Sequence, residues 1–171
     1  LEELTYEGYA PGGAAIIVQG LTDNRNRTVA DVRSMFTKSG GNLAEAGAVS
    51  WGFDSKGTVL VTIAGGLDPE EIALGAVDSG AEDFDIDGAT INFTTDPGNL
   101  DVLQKALGAM EGVEVDTAEL AMVPQILMEL DDSHAKQTLR LLEALEDLDD
   151  VQKVFSNADF SDEVLAEFSA V

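Results

Sequence analysis

Residues 58–123, TVLVTIAGGLDPEEIALGAVDSGAEDFDIDGATINFTTDPGNLDVLQKALGAMEGVEVDTAELAMV, decide the fold. Thr58–Ile63 is a short, β-branched apolar run and reads as a strand. Asp68-Pro69-Glu70-Glu71 opens a helix, with Asp68 as cap, Pro69 in the first position and Glu71 closing a capping-box-like pair. Ile72, Ala73, Ala76 and Val77 give that helix its buried stripe, and Gly80 ends it. Phe84 and Ile86 answer Ile91 and Phe93 across an Asp87-Gly88 turn, the pattern of a hairpin. Asp96-Pro97 opens a second helix carrying Leu100, Leu103, Leu107 and Met110, ended near Gly112, and Val113–Val123 supplies the last strand. The order βαββαβ is that of the split βαβ, or ferredoxin-like, module.

The hairpin also mimics a metal loop. Asp83, Asp85, Asp87 and Gly88 fit the first half of a calcium-binding loop, but its twelfth position is Thr94 where a bidentate glutamate is needed. The alternation of Phe84, Ile86, Ile91 and Phe93 demands strands, so a hairpin with acidic outward faces is expected and no metal site.

Upstream of the module, Tyr6-Glu7-Gly8-Tyr9-Ala10-Pro11-Gly12-Gly13 leads into the buried strand Ala14–Val18. Pro11 and Gly12 suit a type II turn, and a plain turn is preferred to a ligand loop. The phosphate-loop spacing and its lysine are absent. Asp23, Asn24, Asn26 and Thr28 are candidate caps for a helix buried through Val29, Val32 and Phe36 and ended by Gly40-Gly41. Arg25 and Arg27 lie at the positive pole of that helix, where cations are mildly unfavourable. They are read either as anion or RNA-phosphate contacts or as partners of Asp23, Asp31 or a neighbouring acidic domain. Ala48–Phe53 alternates and is expected to be a strand, with Trp51 as core or edge packing.

Downstream, Asp132-Ser133 caps a long helix with Thr138, Leu141, Leu142, Leu145 and Leu148 on one stripe. Asp149 and Asp150 close it and are expected to be solvent-exposed, Val151–Phe155 is a strand, and Asp162–Phe168 a short helix. His134, the single histidine, reads as a surface residue. The late helix and strand complete a second α/β layer beside residues 14–54. The expected class is therefore α+β, with two α/β-sandwich domains. Residues 1–54 plus 125–171 form a discontinuous domain, and residues 55–124 a ferredoxin-like domain inserted into it. The chain starts Leu1-Glu2-Glu3, before a strand-like segment, and reads as part of a longer protein.

The 171 residues carry 9 basic and 33 acidic side chains, net −24. Residues 1–54 hold 4 basic against 7 acidic groups (net −3), residues 55–124 hold 2 against 14 (net −12), and residues 125–171 hold 3 against 12 (net −9). Such a surface repels phosphate backbones and argues against unaided binding of bare DNA. No cysteine is present, so there is no disulfide framework or thiolate metal site. No apolar run approaches the roughly 18 residues of a membrane span, no signal peptide is recognisable, and a cytoplasmic setting is expected. No Ser–His or Cys–His pairing, nucleotide fingerprint or histidine cluster suggests catalysis, so an enzyme, a cofactor and a small-molecule substrate are not expected.

YEGYAPGG (6–13), LTDNRNRTVADVR (21–33), KSGGNL (38–43) and LEDLDDVQKVFSN (145–157) resemble the YebC family of bacterial regulators, whose mitochondrial relative is the translational activator of cytochrome c oxidase. The resemblance runs over the whole chain. It implies three domains, the second interrupted by the third, and an N-terminal helical domain rich in Lys and Arg that this sequence lacks. It also implies a non-enzymatic regulator. The leading expectation is a ribosome- or RNA-associated translation factor that relieves stalling on proline-rich stretches. The alternative is a DNA-binding transcriptional regulator whose main contacts lie in the missing domain, and a third reading is a module for a basic protein partner. Asn24, Arg25, Asn26, Arg27, Arg33 and Lys38 are the expected nucleic-acid contacts, with the Gly8, Tyr9, Pro11, Gly12 and Gly13 turn as the adjacent loop.

Overall fold

The computed structural model describes residues 1–169. Its first half comprises β1 (Glu2–Tyr9), β2 (Ala15–Thr22), α1 (Arg25–Ser39), β3 (Asn42–Ala44), β4 (Phe53–Ile63), α2 (Pro69–Val77) and β5 (Ala81–Asp87). The second half comprises β6 (Thr90–Thr95), α3 (Leu100–Gly108), β7 (Val113–Pro124), β8 (Met128–Glu129), α4 (Asp132–Glu146), β9 (Val151–Ser156), β10 (Ala158–Asp159) and α5 (Asp162–Ser169). Contacts divide the chain into two compact units, one from residues 1–54 and 123 onward, the other from residues 55–122. The fold is α+β with two separate sheets of four strands.

In the first unit the sheet runs β3-β1-β2-β9, each neighbouring pair antiparallel. β1 and β2 are a hairpin. Their turn is the type II turn expected: Gly13 N–H donates to Ala10 O at 2.9 Å, and Gly12, after Pro11, has φ 94°. α1 is capped by Asn24, whose side chain accepts from Arg27 N–H at 3.1 Å, and it ends at Gly40 in the left-handed region. Its buried stripe is Thr28, Val32 and Phe36. Val29, expected inside, is only half-buried, because Thr28 takes the inward position to reach a polar cluster described below. Val32 and Phe36 of α1 share one core with Ile16 and Val18 of β2 and with Leu141 and Leu145 of α4. Gly8 is required there by close approach: a Cβ would lie 2.7 Å from Phe36 Cε1 and 2.8 Å from Asn42 O.

Ala48–Phe53 is not one strand. Residues 50–52 form a 3-10 turn and β4 begins only at Phe53. The backbone donors that a ladder would use are engaged elsewhere, by the Glu7 carboxylate, and Gly47 turns the chain at φ 89°. Trp51 is correspondingly 78% exposed, contrary to the packing expected of it.

The second unit has the sheet order β5-β6-β4-β7. With α2 and α3 as its two helices, this is the ferredoxin-like arrangement read from the sequence. Phe84 lies opposite Phe93 with ring centroids 6.5 Å apart, and both meet the core of Val59, Val61, Ile91, Leu103 and Leu107. The hairpin turn is Gly88-Ala89, one residue on from the expected pair, with Gly88 at φ 59° in the first central position as a II′ turn needs. Asp68 caps α2, as expected, but Val77 points outward at 46% exposure. No helix among the described residues is long and apolar enough to cross a membrane.

Candidate nucleic-acid interface

Arg27 is the best-anchored of the six expected contact residues. Its guanidinium donates to Asp150 through Nε (3.2 Å) and Nη2 (3.1 Å) and to Asp23 at 2.8 Å. Thr28 Oγ1 donates to Asp150 Oδ2 at 2.7 Å, and the Thr22 hydroxyl lies 2.8 Å from that of Thr28. Asp150 is thus drawn in, with its side chain 17% exposed, where the sequence suggested a solvated aspartate. The reason lies 123 residues away: α1 presents a cation and a hydroxyl at the end of the α4–β9 connection. Arg27, then Thr28, hold the Asp150 carboxyl below the ordinary carboxylate range, against the opposing effect of partial burial.

Arg27 also lines an open groove with Asp23, Asp31, Asp147, Asp149 and Asp150. A phosphate entering there meets carboxylates. Asp150→Ala is expected to lower the thermal midpoint, because it removes two hydrogen bonds from Arg27 and one from Thr28 at a partly buried site. Arg25→Ala, which removes only an exposed pair with Glu2 at 2.8 Å, is expected to leave the midpoint unchanged. Equal midpoints for both variants in a melting curve would show that the Asp150 cluster is not structural.

The remaining residues of the set are exposed. Asn24 spends its side chain on the cap. Arg33 and Lys38 make no ion pair among the described residues. Helical geometry puts Asn26 and Arg33 on one line about 10 Å apart, with Arg25 beside it, and Lys38 roughly 140° away from Arg33. The turn of Gly8, Tyr9, Pro11, Gly12 and Gly13 is built around close packing. A Cβ on Gly12 would sit 2.9 Å from His134 Cβ, and His134 Nδ1 is itself 2.8 Å from Asp131 Oδ2. The expected surface histidine therefore has a partner, the cap of α4.

The second unit offers no aromatic platform. Asp83, Asp85 and Asp87 of β5, Thr90 and Asn92 of β6, and Thr58 and Thr62 of β4 alternate away from the buried residues of their strands. Ferredoxin-like sheets that read RNA stack bases on aromatic side chains at such positions, and here they are acids, threonines, an asparagine and, between Thr58 and Thr62, the aliphatic Leu60. No group of three or more His, Cys, Asp or Glu among the described residues is arranged to hold a metal ion.

A site residue the sequence reading passed over is Glu7, the acid of YEGY. It is 6% exposed, and its carboxylate accepts from the N–H groups of Gly47 (2.6 Å), Ser50 (2.7 Å) and Val49 (3.0 Å). Burial works to raise its pKa, but the three hydrogen bonds together outweigh that and hold the group below the usual carboxylate range. The one available signal was an acid in a strand bounded by apolar residues.

These features define an acidic α+β protein of two units with a few scattered surface cations. Residues 1–158 match the family described as the TACO1/YebC second and third domain, and the chain belongs to that family. It is 49% identical over 166 residues to a probable transcriptional regulatory protein of Dehalococcoides mccartyi (strain CBDB1), covering 97% of this chain and 65% of the relative. A probable transcriptional regulatory protein of Thermomicrobium roseum is also 49% identical, over 164 residues, with 95% and 65% covered. The crystal structure of a conserved hypothetical protein from Aquifex aeolicus superposes with a TM-score of 0.86 at 40% identity, over 96% of this chain and 67% of that one. The chain thus spans about 65% of the length of the curated relatives it matches.

Proposed function

We propose that this chain is the non-catalytic part of a gene-expression regulator that associates with RNA on the ribosome, using few and local cations. The observation that carries this reading is that basic side chains are few and outnumbered by acids in each unit. The first unit holds 7 basic and 19 acidic side chains and the second 2 and 14, so each is net −12. Gripping a free duplex requires many simultaneous phosphate contacts. A flank of α1 bearing Arg25, Asn26 and Arg33 suits one or two phosphates presented by structured RNA, with basic ribosomal proteins facing the acidic surfaces. The Arg25–Glu2 pair is exposed on both sides and exchanges at little cost, whereas Arg27 stays with Asp150. Relief of stalling on proline-rich stretches is the activity we assign to the whole protein.

Co-sedimentation with ribosomes across a salt series tests this. Arg25→Ala/Arg33→Ala is expected to weaken pelleting and to lower the steepness of log K against log salt by about 1.4–1.8, two contacts' worth. An unchanged slope in the folded double variant would remove α1 from the interface. The names of the relatives favour a second reading, transcriptional regulation through DNA. Competitor-resistant binding of one duplex sequence, with no ribosome pelleting, would establish that reading in place of the first.

A further inference from the structure

We infer that the cavity beneath Trp51 is a docking site for a cationic segment of a protein partner, seated by one apolar anchor side chain. Tyr9, Ala15, Val49, Trp51, Phe53 and Ile126 line it, at the turn end of the first unit's sheet. Its volume of 190 Å³ is below the roughly 300 Å³ at which small-molecule pockets begin, and suits a single side chain. Two large apolar residues stand open at its rim, Trp51 at 78% and Ile126 at 80% exposure, and Leu127 follows at 56%. Clustered exposed apolar groups of this kind mark interaction sites, and tryptophan is the residue most enriched at interface hot spots.

The site is pre-organised. Glu7 fixes Gly47, Val49 and Ser50, Gln125 N–H donates to Gly52 O at 2.9 Å, and Asn157 Oδ1 accepts from Ala15 N–H at 2.8 Å. Trp51 Nε1–H donates to Ala48 O at 2.9 Å within its own loop. The indole has thereby spent its one polar atom and offers only apolar surface. A rigid loop avoids the ordering cost that weakens flexible interfaces.

Charge selects the occupant. Residues 6–15, 42–55, 123–130 and 156–159, which build the cavity and its rim, contain no lysine or arginine, and they carry exposed Glu45, Asp54 and Glu129. Stacking of single-stranded nucleic acid needs a basic groove beside the aromatic. Here the field is negative, which attracts a basic protein segment and repels a phosphate backbone. This inference does not depend on RNA contact through α1.

Trp51 is the only tryptophan, so its emission reports the site directly. The test titrates the protein with a short lysine–leucine peptide, an all-lysine peptide of equal charge, a glutamate–leucine peptide and oligouridine. A saturable blue shift with the lysine–leucine peptide is expected, with the other three ligands binding about tenfold or more weaker. Fluorescence anisotropy of labelled lysine–leucine peptide should show a similar loss for Trp51→Ala and, independently, for Ile126→Ser. Both side chains are exposed, and circular dichroism checks that the variants are folded. Equal binding of the all-lysine or the glutamate–leucine peptide, occupation by oligouridine, or unchanged affinity in both variants would each overturn the proposal. So would a blue shift that tracks self-association in sedimentation.

Discussion

Phe36→Ala is expected to destabilise the first unit by about 3–5 kcal/mol, a large share of the 5–15 kcal/mol that typically holds a domain. Phe36 is fully buried and shares its core with Ile16, Val18, Val32, Leu141 and Leu145. Its ring covers Gly8, so truncation opens a void against a strand backbone that cannot collapse into it. The same contact makes a second variant informative. Gly8→Ala is expected to cost about 1–3 kcal/mol by overpacking. Combined, the two should fall short of their sum, because removing the ring relieves part of the clash. The other part, against Asn42 O, is backbone and persists. Denaturant melts of the four proteins measure the coupling. Strict additivity would mean that the ring and the glycine do not share that space.

The ferredoxin-like module was legible because its signals are local. Asp68-Pro69 starts a helix, Gly88 permits a II′ turn, and Phe84, Ile86, Ile91 and Phe93 alternate on one face; all act within a few residues. The Pro11-Gly12 turn and the Asn24 and Gly40 ends of α1 were readable for the same reason. What escaped is long-range. Trp51 sits in an alternating stretch, yet the carboxylate of Glu7, more than 40 residues earlier, takes the donors that a strand would need. Asp150 looked like a solvated helix end until α1 supplied Arg27 and Thr28. The sequence allowed two roles for the helix-start arginines, phosphate contact or ion pairing. Arg27 pairs with Asp23 and Asp150, Arg25 pairs with Glu2 in an exposed contact, and neither pairs with Asp31.

Both escapes are buried or half-buried acids, which a reader of composition counts as surface charge. Of the 33 acidic side chains, Asp68 and Asp131 cap helices locally, whereas Glu7 and Asp150 act as anchors across long sequence separations. They hold one loop and one helix start in place, and these are the two features on which the functional proposals rest. The Glu7 loop carries Trp51, and the Asp150 cluster fixes the N-terminal turn of α1 that presents Arg25 and Asn26.

Glu7→Gln is expected to cost about 1–3 kcal/mol at neutral pH, since hydrogen bonds to a charged acceptor are the stronger kind and an amide NH₂ cannot accept. The loss has a pH signature. The carboxyl of Glu7 lies below the ordinary glutamate value of 4.5 in the folded protein, so its ionised form is favoured by folding. Its contribution is complete above the unfolded value and is lost as pH falls through the folded one. Thermal midpoints of wild type and variant should therefore differ most from pH 7 down to about 5 and converge as the solution is made more acid. The loop should loosen as well, seen as faster hydrogen exchange at the amides of Val49 and Ser50. A midpoint difference that stays constant into acid would assign the cost to shape, not charge. It would also leave the placement of Trp51 without its electrostatic clamp.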